Sequence, residues 1–146
     1  FGLYEDLTVQ QNLDLYADLH GLPKIEREKT FTKLLQFTTL QPFTDRLAGA
    51  LSGGMKQKLG LACTLICRPK LLLLDEPSVG VDPISRKELW KMVQDLVKED
   101  VTALWSTSYI DEAEKCDSVI LLNEGKVLFQ GRPSLMTDKI KGRTFK

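Results

Sequence analysis

Two adjacent carboxylates follow a wholly apolar run in the middle of the chain. Asp75 and Glu76 come directly after Leu71–Leu74. Such a run predicts a strand buried on both faces, and parallel sheets bind ligands at the carboxyl ends of their strands. In enzymes that hydrolyse nucleoside triphosphates, the first carboxylate at this place holds Mg²⁺, and a following glutamate orients and deprotonates the attacking water. The alternative is a pair of solvated charges at a strand end.

An anion-binding helix start lies upstream of the carboxylates. Ser52 can cap a helix whose first turn contains Gly53 and Gly54. A helix start exposes backbone N–H groups and the positive end of the helix dipole, and glycines leave room for a phosphate. The alternative is an ordinary Ser-Gly-Gly loop. For Gln57, a little further on, the alternative to a ligand contact is a solvated position on the helix.

Helical and strand patterns alternate around these residues. Asp82 is a predicted N-cap with Pro83 at the first helical position, and Thr8 with Gln11 forms a predicted capping box. The predicted helices are Thr8–His20, Lys24–Phe37, Ser52 towards Pro69, Asp82 onward and Ile110–Cys116. The predicted strands are Leu71–Leu74, Val101–Ser106, Ser118–Leu122 and, as a hairpin partner, Lys126–Gln130. This alternation indicates an α/β fold with a largely parallel sheet.

Composition restricts the class of protein further. The chain has 146 residues, with 20 basic and 20 acidic side chains, so nothing in its net charge predicts nucleic-acid binding. Its longest uncharged stretch is eleven residues, Leu34–Thr44, whereas a membrane-spanning helix needs about 20. Three cysteines without CxxC spacing indicate small buried hydrophobes in a reducing cytosol.

The order and spacing of three motifs resemble the nucleotide-binding domain of ATP-binding cassette (ABC) transporters. Leu51–Met55 is similar to the signature sequence LSGGQ, with Met55 in place of glutamine. Leu71–Glu76 matches the Walker B pattern of four hydrophobic residues followed by Asp-Glu. Ser78–Asp82 resembles the D-loop, with Val81 in place of leucine. The resemblance covers essentially the whole chain.

The resemblance implies a fold, a site and cofactors. The fold is an incomplete P-loop NTPase-like ABC cassette of the α/β class. It comprises a helical subdomain at about 8–68 and, at about 69–146, the C-terminal part of the parallel catalytic sheet. ATP and Mg²⁺ are the implied cofactors, with Asp75 assigned to the metal and Glu76 to water activation. The implied nucleotide-site residues are Ser52, Gly53, Gly54, Met55, Gln57 and Asp82.

Two departures from the family pattern limit what this chain is expected to do alone. The 146 residues contain no phosphate-binding G-x-x-x-x-G-K-[ST] loop, which the family places upstream of a segment resembling Phe1–Leu13. We therefore expect an N-terminally truncated cassette that binds ATP weakly. Ser108 occupies the place of the family's catalytic histidine, and a hydroxyl has shorter reach and no positive form, so hydrolysis is in doubt.

The expected function is the ATP-binding subunit, or half of a tandem one, of an ABC transporter resembling the multidrug-type exporters. The implied partners are a second nucleotide-binding domain and a transmembrane subunit held near Tyr4–Leu7, on the cytoplasmic face of the membrane. One alternative is a soluble ABC ATPase without a membrane partner. Another is a non-catalytic remnant that serves as an interaction module, which the missing loop and Ser108 favour.

Overall fold

The computed structural model describes residues 2–135 of the chain. The chain folds as two compact units that divide between Trp105 and Ser106. The α-helices are α1 (Val9–Leu19), α2 (Lys24–Thr38), α3 (Gly53–Leu65), α4 (Pro83–Lys98) and α5 (Ile110–Ala113). The strands are β1 (Leu71–Asp75), β2 (Thr102–Ser106), β3 (Val119–Asn123) and β4 (Lys126–Gly131), and single 3₁₀ turns cover Gln41–Phe43 and Ala48–Ala50. Over residues 2–135, no helix is both long and apolar enough to cross a membrane.

The predicted N-caps at Thr8, Ser52 and Asp82 are confirmed, and each accepts a hydrogen bond from the backbone of its helix. The Thr8 hydroxyl accepts from the Gln11 N–H at 3.1 Å, and the Gln11 side chain accepts from the Thr8 N–H at 2.9 Å. The Asp82 carboxylate accepts from the N–H groups of Ile84 and Ser85 at 3.0 and 2.9 Å. These bonds satisfy donors that have no partner within the helix.

Helix α3 contributes to two apolar clusters in the first unit. One face of α3, which includes Leu59 and Ala62, packs in a cluster with residues of α1 and α2. Ile66, directly after the helix, belongs to the same cluster. Another face places Leu61 in a cluster with Leu72 of β1 and with residues of α4. A displacement of α3 would therefore disturb both clusters, since packed interiors do not deform freely.

The sheet of β1 and β2 is covered by apolar side chains on one face only. The Thr102 N–H donates to the Lys70 carbonyl at 2.9 Å, so both strands begin at the same edge, as in a parallel βαβ unit. Leu72 is 1% exposed, whereas Leu73 is 70% exposed and Leu104 of β2 is 60% exposed. The prediction that Leu71–Leu74 is buried on both faces is therefore wrong for the described residues. An unbroken leucine run has no alternation by which the two faces can be told apart.

Strands β3 and β4 form the predicted antiparallel hairpin in the second unit. Glu124 and Gly125 connect them, with φ values of +48° and +73°. Two positive φ values in a two-residue loop define a type I′ turn, whose twist matches that of the strands.

The cysteine prediction is confirmed only for Cys63. That side chain is buried, and burial raises the pKa of its thiol to about 12. Cys67 is exposed at the end of the α3 region, so the expectation of a buried hydrophobe is wrong there. Cys67 follows Ile66, the last residue after α3 that packs into the cluster of α1 and α2.

Substitutions at neighbouring leucines of β1 should have opposite consequences. Leu72→Thr removes a buried apolar side chain and should lower the free energy of unfolding by about 2–4 kcal/mol. Leu73→Thr should leave the melting temperature nearly unchanged and reduce concentration-dependent association, because exposed apolar faces promote self-contact. Thermal melts and light scattering measure the two effects. Equal melting losses, or association unaffected by Leu73→Thr, would contradict the one-sided burial.

Candidate functional site

The start of α3 presents Ser52 and Gly53 at the surface. Ser52 is the N-cap, with φ −66° and ψ 162°, and its hydroxyl accepts from the Met55 N–H at 3.3 Å. Ser52 and Gly53 are exposed, whereas Gly54 is buried and the partly buried Met55 packs against the cluster of α1 and α2. The predicted anion-binding turn is therefore a capped helix start, and not an irregular loop.

Both glycines at this helix start are required by close packing. A Cβ added at Gly53 would lie 2.7 Å from the carbonyl oxygen of Gly80. A Cβ added at Gly54 would lie 2.6 Å from the Ser85 hydroxyl oxygen. Real Cβ atoms do not approach backbone or packed side chains so closely, so any larger residue would force α3 away from the Gly80–Ser85 segment.

Two ion pairs hold α3 to its neighbours. Lys58 is 7% exposed, and its ammonium lies 2.6 Å from the Glu88 carboxylate of α4 and 3.4 Å from the Thr39 hydroxyl. Lys56, in the first turn of α3, pairs with Glu5 at 2.7 Å. Sequence reasoning missed both pairs, because nothing local in the sequence joins residues 30 and 51 positions apart.

The two carboxylates lie at the carboxyl end of β1 in unlike backbone conformations. Asp75 is the last residue of the strand and is exposed. Glu76 has φ +44°, a left-handed conformation that costs a non-glycine residue about 1–2 kcal/mol and clusters at functional sites. The left-handed backbone at Glu76 thus lies directly after the end of the strand.

Asp75 and Glu76 line a cavity together with one face of α3. The cavity measures about 690 Å³. Gln57, Gly60 and Thr64 of α3 are among its other lining residues. Gln57 is only 6% exposed, which excludes a solvated helix position for it. The structure thus separates the predicted site residues into two groups: Gln57 lies with the carboxylates, while Ser52 and Gly53 lie at the surface of the α3 start.

The Asp82 side chain caps the start of α4. Hydrogen bonds from the Ser85 side chain and backbone N–H, with a further one from Ile84, hold the pKa of Asp82 below its ordinary value. The side chain is exposed, so its capping does not exclude a contact with another molecule.

Ser108 lies in the second unit, in a loop braced by two residues that sequence reasoning did not single out. The Thr107 hydroxyl donates to the Glu112 carboxylate at 2.7 Å and accepts from the Tyr109 N–H at 3.0 Å. Glu112 is 4% exposed, whereas Ser108 is exposed. The sequence signal that could have indicated this hydrogen bond is a Thr followed five residues later by a Glu at the start of a short helix.

The donor chemistry at the end of β1 suits Mg²⁺. Mg²⁺ is held by one or two carboxylates, with waters and substrate phosphates completing its coordination. Asp75 and Glu76 supply such oxygens. Across the described part of the chain, no group of three or more His, Cys, Asp or Glu side chains is placed to hold a metal by itself. The residues fit an ion that a phosphate helps to bind, and not a closed protein cage.

Comparison with known proteins identifies the family. The family model described as "ABC transporter" matches residues 1–79, and this chain belongs to that family. It is 64% identical over 145 residues to the Escherichia coli protein named "Probable multidrug ABC transporter ATP-binding protein YbhF", covering 99% of this chain and 25% of that protein. It is 36% identical over 141 residues to the Ralstonia nicotianae protein named "Nod factor export ATP-binding protein I", covering 95% of this chain and 44% of that one.

Solved structures confirm the fold class. The structure of cbiO1 from Clostridium perfringens, described as part of the ABC transporter complex cbiONQ, superposes with a TM-score of 0.83 at 32% identity. That alignment covers 97% of this chain and 57% of cbiO1. The predicted α/β ABC cassette, present here in part, is thereby confirmed, and the chain spans a quarter of the length of the E. coli relative.

The packing of Gly54 on Ser85 generates a testable prediction. Gly54→Ala should lower the free energy of unfolding by about 1–3 kcal/mol, because the added methyl overlaps Ser85. Adding Ser85→Gly removes the opposing side chain and should recover part of the loss, although a glycine within α4 itself costs about 1 kcal/mol. Chemical denaturation of the single and double variants measures both. If the two losses simply add, the glycine is not required by this contact.

Proposed function

We propose that this chain is the ATP-binding part of an ABC transporter subunit and that it contributes residues to the binding and hydrolysis of Mg-ATP. The observation that carries the proposal is the pair Asp75 and Glu76 at the end of β1, with Glu76 held in a left-handed backbone conformation beside a cavity. The names of the relatives, which describe ATP-binding proteins of transporters, support it.

Each residue has a role that its environment suits. Mg²⁺, when bound, would neutralise phosphate charge. The exposed Asp75 would hold the ion, and Glu76 would orient the attacking water and take its proton. Ser52 and Gly53, exposed at the helix start, would donate hydrogen bonds to the γ-phosphate of a nucleotide on a partner domain, with Gly54 and Met55 completing the turn. Asp82, at the start of α4, would contact the partner and link the two sites.

Two kinds of partner follow from this assignment. A second nucleotide-binding domain is needed because the surface of the α3 start and the carboxylates of β1 belong to separate groups of residues. A transmembrane subunit would contact Tyr4–Leu7, a segment whose backbone is held by the fully buried Asn12 through bonds at 3.0 Å to Tyr4 and 3.3 Å to Leu7. The description of cbiO1 as part of an ABC transporter complex supports the existence of partner subunits. The subunit would act on the cytoplasmic face of the membrane.

We further propose that the helical subdomain covers about 8–68 and that the Walker B, D-loop and H-loop portion covers about 69–146. The part of this division beyond Leu135 lies outside the described residues. Helix α3 would then belong to the first subdomain while packing on residues of the second.

A chimaera tests the function directly. Replacing the matched 145 residues of the E. coli relative by this chain should give a protein that binds and hydrolyses Mg-ATP. Glu76→Gln removes the base while keeping the shape of the side chain, and should lower turnover at least about hundredfold with ATP affinity retained within about twofold. Steady-state hydrolysis and equilibrium nucleotide binding measure the two quantities.

Glu28→Gln is the matched control, because Glu28 is exposed on α2, away from the cavity. It should leave turnover and affinity unchanged. A chimaera that binds no ATP would refute the proposed function, and equal turnover in the Glu76 and Glu28 variants would remove Glu76 from the reaction.

Ser108 favours a second candidate, a non-catalytic interaction module. If Ser108 is what limits hydrolysis, Ser108→His in the chimaera should raise turnover at least about tenfold, because an imidazolium donates to phosphate more strongly than a hydroxyl. ATP affinity measured alongside separates binding from chemistry. A chimaera that binds ATP and stays inactive with either residue would favour the interaction module.

A further inference from the structure

A buried lysine in the second turn of α3 contacts two other helices. The ammonium of Lys58, which is 7% exposed, donates to the Glu88 carboxylate of α4 at 2.6 Å and to the Thr39 hydroxyl at 3.4 Å. Thr39 is the C-cap of α2, so one charged group joins three helices of the first unit. Lysine is almost never buried to this degree without such partners.

The contact with Thr39 is made at a backbone conformation that threonine avoids. Thr39 has φ +59°, in the left-handed region, where a β-branched residue is an outlier. Its hydroxyl donates to the Thr38 carbonyl at 2.6 Å, and its oxygen can still accept from Lys58. Glycine ends helices at this place with less strain, but it could not supply an oxygen to the ammonium.

The ion pair lies about one helical turn beyond the close contact of the two helix starts. Gly54 of α3 faces Ser85 of α4. One turn further along each helix, Lys58 pairs with Glu88. Helices α3 and α4 therefore run side by side in the same direction, and their capped starts lie at the same end.

Both helix starts are exposed, at Ser52 and Gly53 of one and at Asp82 of the other. In the proposed function both meet the same partner domain, which requires a fixed spacing between them. Replacing a buried ion pair by apolar residues is often neutral for stability, so stability alone does not explain a lysine at position 58. Apolar attraction has no preferred direction, whereas a charged hydrogen bond fixes the distance and the angle between its two groups.

We propose that Lys58 is a positioning residue. Through Glu88 and Thr39, it holds the start of α3 at the spacing from the start of α4 that a second nucleotide-binding domain recognises. This inference rests on the proposed function. It gives Lys58 no contact with a nucleotide, so the loss of Lys58 should weaken the association of two domains more than it weakens folding or the binding of ATP.

The first test uses this chain and needs no nucleotide. Glu88→Gln leaves the buried ammonium without its counter-charge and should lower the melting temperature by about 3–6 °C. Lys58→Met alone should change the melting temperature by less than about 2 °C, and adding Glu88→Gln to it should change little more, because no ammonium remains. Equal losses from Glu88→Gln in both backgrounds would show that the pair is not formed, and would overturn the proposal.

The second test uses the chimaera described above, carrying Glu76→Gln so that bound ATP is not turned over. Lys58→Met should weaken ATP-dependent association about tenfold, with ATP affinity within about twofold and the melting temperature nearly unchanged. Lys58→Arg keeps the charge and the donors and should recover most of the association. Lys29→Met removes an exposed lysine of α2 and is the matched control. Sedimentation and equilibrium nucleotide binding measure the two quantities.

Unchanged association in the Lys58→Met chimaera would overturn the proposal. A joint loss of association, ATP affinity and melting temperature would show a merely structural role and would overturn it as well. If the parent chimaera binds ATP but does not associate, the partner domain of the proposed function fails, and the role of Lys58 fails with it. A parent chimaera that binds no ATP refutes the proposed function itself, whereas the melting test on this chain still decides whether the pair forms.

Discussion

The contact between the start of α3 and the Gly80–Ser85 segment determines how the candidate site is arranged. Gly53 and Gly54 have no room for a side chain, because Gly80 and Ser85 lie where a Cβ would be. This approach fixes the exposed Ser52 beside the segment that contains Asp82, the cap of α4. The glycines of the predicted phosphate-binding turn are therefore also the residues that let two segments, about 30 positions apart, meet at backbone distance.

Helix α3 connects this contact to the rest of the first unit, because it packs in both apolar clusters. One face belongs to the cluster of α1 and α2, another to the cluster of β1 and α4, and Lys58 ties it to Glu88 of α4. A ligand at the start of α3 acts on a rigid element, because the close packing on both sides leaves it little freedom to move independently. The surface at Ser52 and the cavity at Glu76 are thus two ends of one packed assembly.

The parts of the structure that the sequence predicted are those fixed by neighbours in the chain. The caps at Thr8, Ser52 and Asp82 each depend on bonds within four residues, and the hairpin depends on its turn. The exposure of Leu73 and the burial of Gln57 depend on which elements pack against β1 and α3, and neither residue carries a local signal of this. The left-handed backbone at Glu76 was equally invisible, since glutamate has no preference for it.

The distribution of unfavourable features argues for where the function lies. Glu76 adopts a backbone conformation that glycine would adopt more easily, and the buried hydroxyl of Ser78, two residues further on, has no hydrogen-bond partner among the described residues. Each lowers the free energy of unfolding by about 1–3 kcal/mol. A sequence free of functional constraint would lose both through single substitutions, glycine at position 76 and alanine at position 78. Their coexistence directly after β1 is explained if the end of this strand is shaped by function and not by stability alone.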